Sequence, residues 1–351
     1  MRTLAARDYT SVEAHDAERA GVFGREWLCL GLAAPVANPG SFVAECVAGW
    51  PLLVVRDGDG VLRGFHNVCR HRAGPLVDEP AGTRRSLVCR YHGWAYGLDG
   101  GLLSARDSGL DSTDLVGLDL LPVRVEEWRG LLFACLSEAS PPLVHWLGGL
   151  VEECDPFPME AWTAGPREVH RIGANWKTYG DNYLEGYHVP LVHPGLNRAI
   201  DASTYRVDVA DGWVRHSART RDGAVTTGAW LWHWPNLALN LYQHGMSVER
   251  WYPTSATTCE LVLDYSFDRT GPEAEERNRL DIESSTQLCV EDKDICEAVQ
   301  RNLTAGAYDT GLLSPRHEGA LADFHDRVRE ARDTAPGATV VLSSSGSRSG
   351  P

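Results

Sequence analysis

Two short loops, Cys69-Arg-His71 and Cys89-Arg-Tyr-His92, with seventeen residues between them, constrain this chain more than any other feature. They place two thiols and two imidazoles within one β-rich stretch. Two cysteines and two histidines suit a zinc ion, but the order argues otherwise. With one cysteine and one histidine per loop, the pair of loops can give both thiolates to one iron and both imidazoles to another, the mixed ligation of a [2Fe–2S] cluster. Imidazole in place of thiolate raises the reduction potential, which makes such a cluster an acceptor for electrons from a reduced ferredoxin or flavin. Gly93 and Gly97, with Trp94 and Tyr96 between them, predict tight turns and an apolar cover over the sulfurs.

The surrounding chain reads as two domains, as 351 residues suggest. After a predicted helix from about Ala14 to Trp27, the sequence from about Phe42 to Leu136 consists of short apolar runs broken by Asp-Gly turns, such as Pro51–Arg56 before Asp57-Gly-Asp-Gly60. That pattern predicts an all-β module. Beyond about Pro141 helical patterns appear near 175–190 and 271–303, with strand-like runs at 238–242, 247–252 and 260–267 between them, so the second part reads as α+β with an antiparallel sheet. The stretch from 333 to 351 is poor in bulky residues and reads as a disordered tail.

Composition excludes several classes. No run of about 18 apolar residues could span a bilayer, and no secretory leader is readable at the start, so the cytoplasm is the expected compartment. With 33 basic against 48 acidic residues the net charge is −15, which disfavours nucleic acid. Nine scattered cysteines do not form a secreted disulfide framework. The seven outside the loops read as small buried apolar residues.

A second constellation lies in Asn175–Pro194. At helical spacing Glu185 and His188 share a face, and Pro190 and Pro194 re-aim the backbone so that His188 and His193 can converge on one metal. Two histidines with a distant carboxylate make a facial triad that leaves positions open on Fe(II) for O2 and substrate. In the helix near 288–303, Leu288, Asp292, Ile295 or Cys296, Val299 and Leu303 form one stripe, which turns Asp292 inward. Glu291, Asp294 and Glu297 read as a solvated face.

Both constellations carry a resemblance. The segments Asn67-Val-Cys-Arg-His-Arg-Ala-Gly-Pro-Leu76 and Cys89-Arg-Tyr-His-Gly-Trp-Ala-Tyr-Gly-Leu-Asp-Gly100 resemble the cluster loops of the α subunits of Rieske non-haem iron oxygenases. The family's acid-x-x-His-x4-His pattern with a late aspartate maps onto Glu185, His188, His193 and Asp292. Trp232–Asn240, Met246–Pro253 and Ser314–Glu318 also resemble the family's catalytic domain, and the likeness covers about residues 5–332. It implies a Rieske module at 38–140 inserted in a helix-grip catalytic domain formed by 1–37 and 141–332. It also implies one [2Fe–2S] cluster on Cys69, His71, Cys89 and His92 and one Fe(II) on His188, His193 and Asp292.

The resemblance further implies a homotrimer in which the cluster of one subunit lies beside the iron of the next, with Glu185 bridging a cluster histidine, such as His92 of the neighbour, and His188. Ring-hydroxylating members usually carry aspartate at that bridge. Glutamate here resembles the carnitine and betaine oxygenases, which attack methylammonium compounds. Twelve tryptophans and eleven tyrosines could furnish an aromatic box for such a substrate, although most tryptophans are core and only one face of the Trp230–Trp234 strand can look into a pocket. No nicotinamide or flavin motif is present, so NAD(P)H must act through a separate reductase or ferredoxin.

The chain therefore reads as a terminal oxygenase that hydroxylates or oxidatively demethylates a small organic substrate bound by residues in about 197–229 and the strands after it. Hydroxylation or cis-dihydroxylation of an aromatic ring is the alternative within the family. A non-catalytic Rieske electron carrier is the alternative outside it. The remaining histidines show no ligand spacing and read as surface or core groups. Lys177 reads as one half of a charge pair.

Overall fold

The computed structural model describes residues 1–221 and 228–334. Its strands pair antiparallel throughout, and the chain is α+β. The described residues divide into two compact units, Gly24–Ser140 and Met1–Phe23 together with Pro141–Thr334.

The first unit is a β module. Its seven-stranded sheet runs in the order Trp27–Leu32, Leu131–Cys135, Pro122–Trp128, Leu62–His66, Trp50–Arg56, Ser41–Val47 and Ala81–Thr83. A three-stranded sheet of Leu87–Val88, Ala95–Tyr96 and Leu102–Ser104 carries the second cysteine loop. The unit starts at Gly24 rather than 38, because the apolar run Trp27–Leu32 is a strand paired with Leu131–Cys135. The helix predicted from Ala14 to Trp27 is correspondingly shorter. It covers Val12–Glu18 and passes through a wide π turn at Arg19–Phe23, where Gly21 and Gly24 offer little helical propensity. Phe42, Leu53, Val55, Phe65, Leu87 and Tyr96 pack as one core, and both Cys69 and Cys89 belong to it.

The second unit is built on a seven-stranded sheet ordered Thr163–Ile172, Thr258–Phe267, Gly245–Ser255, Leu237–Tyr242, Ala229–His233, Trp213–Thr220 and Ile200–Val209. The helices Trp176–Tyr183 and Pro272–Thr304 pack on the sheet and on each other. The helical pattern of 175–190 is not one helix. Trp176–Tyr183 ends before Glu185, and Val189–Val192 and Pro194–Ala199 follow as short pieces, each with a proline in its first turn.

Residues 1–23 return to this unit through buried polar contacts. The Lys177 ammonium donates to Glu18 at 2.8 Å and to the Asn175 side-chain oxygen at 2.9 Å, and the Trp176 indole also donates to Glu18 at 2.8 Å. Tyr9 donates to Asp181 at 2.6 Å, and His325 contacts the same carboxylate at 2.8 Å. Removing one member of a buried pair such as Lys177–Glu18 costs about 3–5 kcal/mol, so the helix leading into the histidines is anchored at its base. Trp176, Trp232 and Trp234 surround Phe324 in the apolar core. The chain expected to be disordered from 333 onward lies, past Thr334, outside the described residues; Asp333 itself ends the helix Gly319–Asp333. Among the described residues no helix is long and apolar enough to cross a membrane.

Candidate metal centres

The two cysteine loops of the β module are copies of one backbone turn. Cys69 N–H donates to the Gly74 carbonyl and the Ala73 N–H to the Cys69 carbonyl, at 2.8 and 3.1 Å; Cys89 N–H donates to the Trp94 carbonyl and Gly93 N–H to the Cys89 carbonyl, both at 2.9 Å. Each turn closes through a left-handed residue, Ala73 at φ 54° and Gly93 at φ 76°. A Cβ on Gly74 would lie 2.8 Å from the Cys89 sulfur, so glycine there lets the loops approach.

Both thiols are buried and both imidazoles exposed. The His71 and His92 rings lie 4.6 Å apart, and Trp94 stacks on His71 at 4.7 Å. The Tyr96 hydroxyl is 3.3 Å from the Cys69 sulfur and accepts from the Arg70 N–H at 3.1 Å. Trp94 and Tyr96 thus cover the loops from the protein side. The four donors do not form a single-ion cage, because among the described residues only His188, His193 and Asp292 bring three donor atoms within 4.8 Å of one another. Donors split into an inner thiol pair and an outer imidazole pair suit two irons better than one zinc.

In the second unit Glu185 and His188 lie on the loop after the helix, not on a common helical face. Glu185 curls over that loop, accepting from the backbone N–H groups of Tyr187 and His188. Its other oxygen is 2.6 Å from His188 Nδ1. Gly186 permits the turn, since a Cβ there would fall 2.3 Å from the Tyr205 ring.

Asp292 arrives from the helix Pro272–Thr304, whose buried side is Cys289, Cys296, Gln300 and Leu303. Ile295 and Val299 are exposed, contrary to the predicted stripe. Two acids read as a solvated face are instead engaged. Glu291 lies 2.8 Å from His193 Nδ1, and Glu297 accepts from Gly173 N–H at 2.8 Å.

Each histidine therefore presents Nδ1 to a glutamate and Nε2 to a common point. The two Nε2 atoms are 3.1 Å apart and lie 3.8 and 2.9 Å from Asp292 Oδ1, which also accepts from Asn182 at 2.6 Å. Carboxylates at Nδ1 fix the proton there and leave the Nε2 lone pairs free. Two lone pairs and a carboxylate facing one another repel unless a cation sits between them. Burial disfavours charge on His193, but the neighbouring Asp292 and Glu291 carboxylates outweigh it and raise its pKa, so the site favours positive charge. The donor set fits a divalent iron.

A cavity of about 570 Å³ opens beside His188 and His193. Tyr183, Tyr205, Trp230, Tyr242, Asn240 and Glu249 are among its walls. Of the Trp230–Trp234 strand only Trp230 faces it. His216, which the sequence leaves as a surface or core group, also borders it; burial, with His188 nearby, pushes its pKa down to about 4. Its Nδ1 meets the Tyr205 hydroxyl at 3.1 Å. Burial and the Asp292 charge push Glu249 up to about 7, against the pull of an Asn240 hydrogen bond. Part of the 197–229 stretch expected to line the pocket, 222–227, lies outside the described residues. All nine cysteines are free thiols, and Cys46 is exposed rather than buried.

Residues 26–111 match the family described as the Rieske [2Fe-2S] domain, and 159–223 with 206–333 match the ring hydroxylating alpha subunit (catalytic domain). The carnitine monooxygenase oxygenase subunit of Escherichia coli K12 is 30% identical, with 93% of each chain covered. The chain belongs to the Rieske non-haem iron oxygenases. This Rieske oxygenase is also 29% identical to the chloroplastic choline monooxygenase of Spinacia oleracea, over 89% of its own length and 73% of the relative's. The solved structure of the quaternary ammonium Rieske monooxygenase CntA with L-carnitine superimposes with a TM-score of 0.84 at 25% identity, covering 94% of this chain and 96% of that one. Naphthalene 1,2-dioxygenase with indole bound shares the fold, with a TM-score of 0.78 at 21% identity over 95% and 93% of the two chains. As a Rieske oxygenase the protein is an oxidoreductase with a [2Fe–2S] cluster and Fe(II), the oxygenase component of a multicomponent system.

Proposed function

We propose that this oxygenase hydroxylates or oxidatively demethylates a small methylammonium compound, with electrons from NAD(P)H delivered by a separate flavin or iron–sulfur reductase or a ferredoxin. The observation that carries the reading is the cavity beside His188 and His193, whose aromatic walls suit a methylated cation. The carnitine and choline oxygenases similar to this chain support it.

In this reading the β unit holds the cluster on Cys69, His71, Cys89 and His92, and the second unit holds iron on His188, His193 and Asp292. Iron in such a site supplies the activation of O2. The chain's own residues do the positioning: Glu185 and Glu291 hold the two imidazoles, Asn182 holds Asp292, and the aromatic walls present a methyl carbon while excluding water. Hydroxylation inserts one oxygen atom of O2 into a C–H bond, and two electrons and two protons reduce the other to water. A hydroxylated N-methyl group then loses formaldehyde as its C–N bond breaks, with the electron pair left on nitrogen.

Glu185 is proposed to bridge His188 and a cluster histidine of a neighbouring subunit in a homotrimer; two imidazole N–H groups sharing one carboxylate would couple the centres. The free thiols suit a reducing compartment, and the cytoplasm is proposed. Oxygen uptake and formaldehyde release, measured with reductase and NAD(P)H across methylammonium and aromatic compounds, test the reading. Product formed stoichiometrically with O2 from a methylammonium compound is expected. Turnover confined to aromatic rings, giving diols or phenols, would overturn it.

A further inference from the structure

Glu249 sits near the middle of the interior strand Gly245–Ser255, 6% exposed, and is part of the cavity wall. Among the described residues its hydrogen-bond partner is neutral: Asn240 donates from Nδ2 to one of its oxygens at 2.6 Å. The orientation of that amide is fixed from the other side, because the Asn240 oxygen accepts from the Tyr183 hydroxyl at 3.1 Å and its nitrogen also reaches Ser247 at 3.1 Å. No ion pair to Glu249 occurs among the described residues. A buried carboxylate without a cation is costly, and Glu249 is held by the neutral Asn240 amide while lining the cavity.

The metal centre does not supply the missing charge. The two positive charges of Fe(II) are outnumbered by the three carboxylates Asp292, Glu185 and Glu291 that contact the ligand set. Across the cavity Arg277 is engaged by Asp268 at 2.6 Å. The cavity is therefore anionic, and Tyr183, Trp230 and Tyr242 are among its walls, aromatic residues of the kind that favour cations. A quaternary ammonium has no N–H to donate, so charge and methyl contact with rings are the only handles by which it can be held.

We propose that Glu249 is the counter-ion that selects a methylated ammonium head over an uncharged group of the same shape, with Asn240 aiming its carboxylate. This rests on the methylammonium reading of the cavity. An apolar aromatic ring would leave Glu249 buried without compensation.

The test is calorimetric binding to the metal-loaded enzyme without reductase, using choline and its uncharged isostere 3,3-dimethylbutan-1-ol. Wild type is expected to bind choline at least about tenfold more tightly than the isostere. Glu249→Gln keeps the volume and the oxygen that accepts from Asn240, and should reduce the preference to within about twofold. Glu249→Asp should keep most of it. The cluster's visible spectrum and the iron content confirm assembly of each variant, and Glu249→Leu serves as the second neutral variant if Gln does not assemble. A preference that survives neutralisation of Glu249 overturns the counter-ion role and leaves the methylammonium reading intact. No preference in wild type overturns both.

Discussion

In the two cysteine loops the backbone places the thiols and imidazoles, whereas at His188, His193 and Asp292 other side chains place the donor atoms. Cys69 and Cys89 sit in matching turns closed by main-chain hydrogen bonds, and the loops lie close in sequence. His188, His193 and Asp292 come from a loop and a helix about a hundred residues further on, and each imidazole is oriented by a glutamate. A backbone-held site tolerates little change in the space around the chain. A side-chain-held site depends instead on its supporting acids.

That contrast can be broken at three points. Asp292→Ala should remove the mononuclear iron and lower substrate oxidation by about three orders of magnitude or more, while the cluster's visible spectrum stays as in wild type. Gly74→Ala should do the reverse. The added methyl meets the Cys89 sulfur, and overpacking of this kind costs on the order of 1–3 kcal/mol. The expected result is faster bleaching of the cluster with the iron site still loaded, and an unchanged bleaching rate would count against a backbone-set cluster site. Glu291→Ala should weaken iron binding by about 10- to 100-fold, as loss of an outer-shell partner does, with the cluster unaffected. Iron affinity equal to wild type in that variant would show that His193 needs no support.

The same contrast explains what could be read in the sequence. The two cysteine loops were legible because a local turn needs its cysteine, histidine and glycine at fixed spacing. The histidines and Asp292 were legible as residues, but not how they meet. The spacing of Glu185 and His188 reads as helical, yet Gly186 and the prolines put them on a loop. Glu291 and Glu249 were missed for a physical reason: an acid beside Asp292 on a helix looks like part of a solvated face, and an acid in a strand carries no mark of the cavity it faces until the neighbouring strand brings Asn240 against it. In the second sheet the strands near 238–242, 247–252 and 260–267 were legible as apolar runs, whereas Thr163–Ile172, Ile200–Val209 and Trp213–Thr220, which carry more polar and exposed residues, were not. Trp27–Leu32 was not read as a strand, and Trp27 was given to the preceding helix, because nothing local separates a short apolar strand from a helical stripe.

The claim that two separate iron centres share this chain is tested most directly by counting iron and acid-labile sulfide in wild-type enzyme purified without oxygen. Two sulfides and about three irons per chain are expected, since a [2Fe–2S] cluster and one mononuclear iron add to that number. Two sulfides with only two irons, after reconstitution with excess Fe(II), would contradict the facial site at His188, His193 and Asp292.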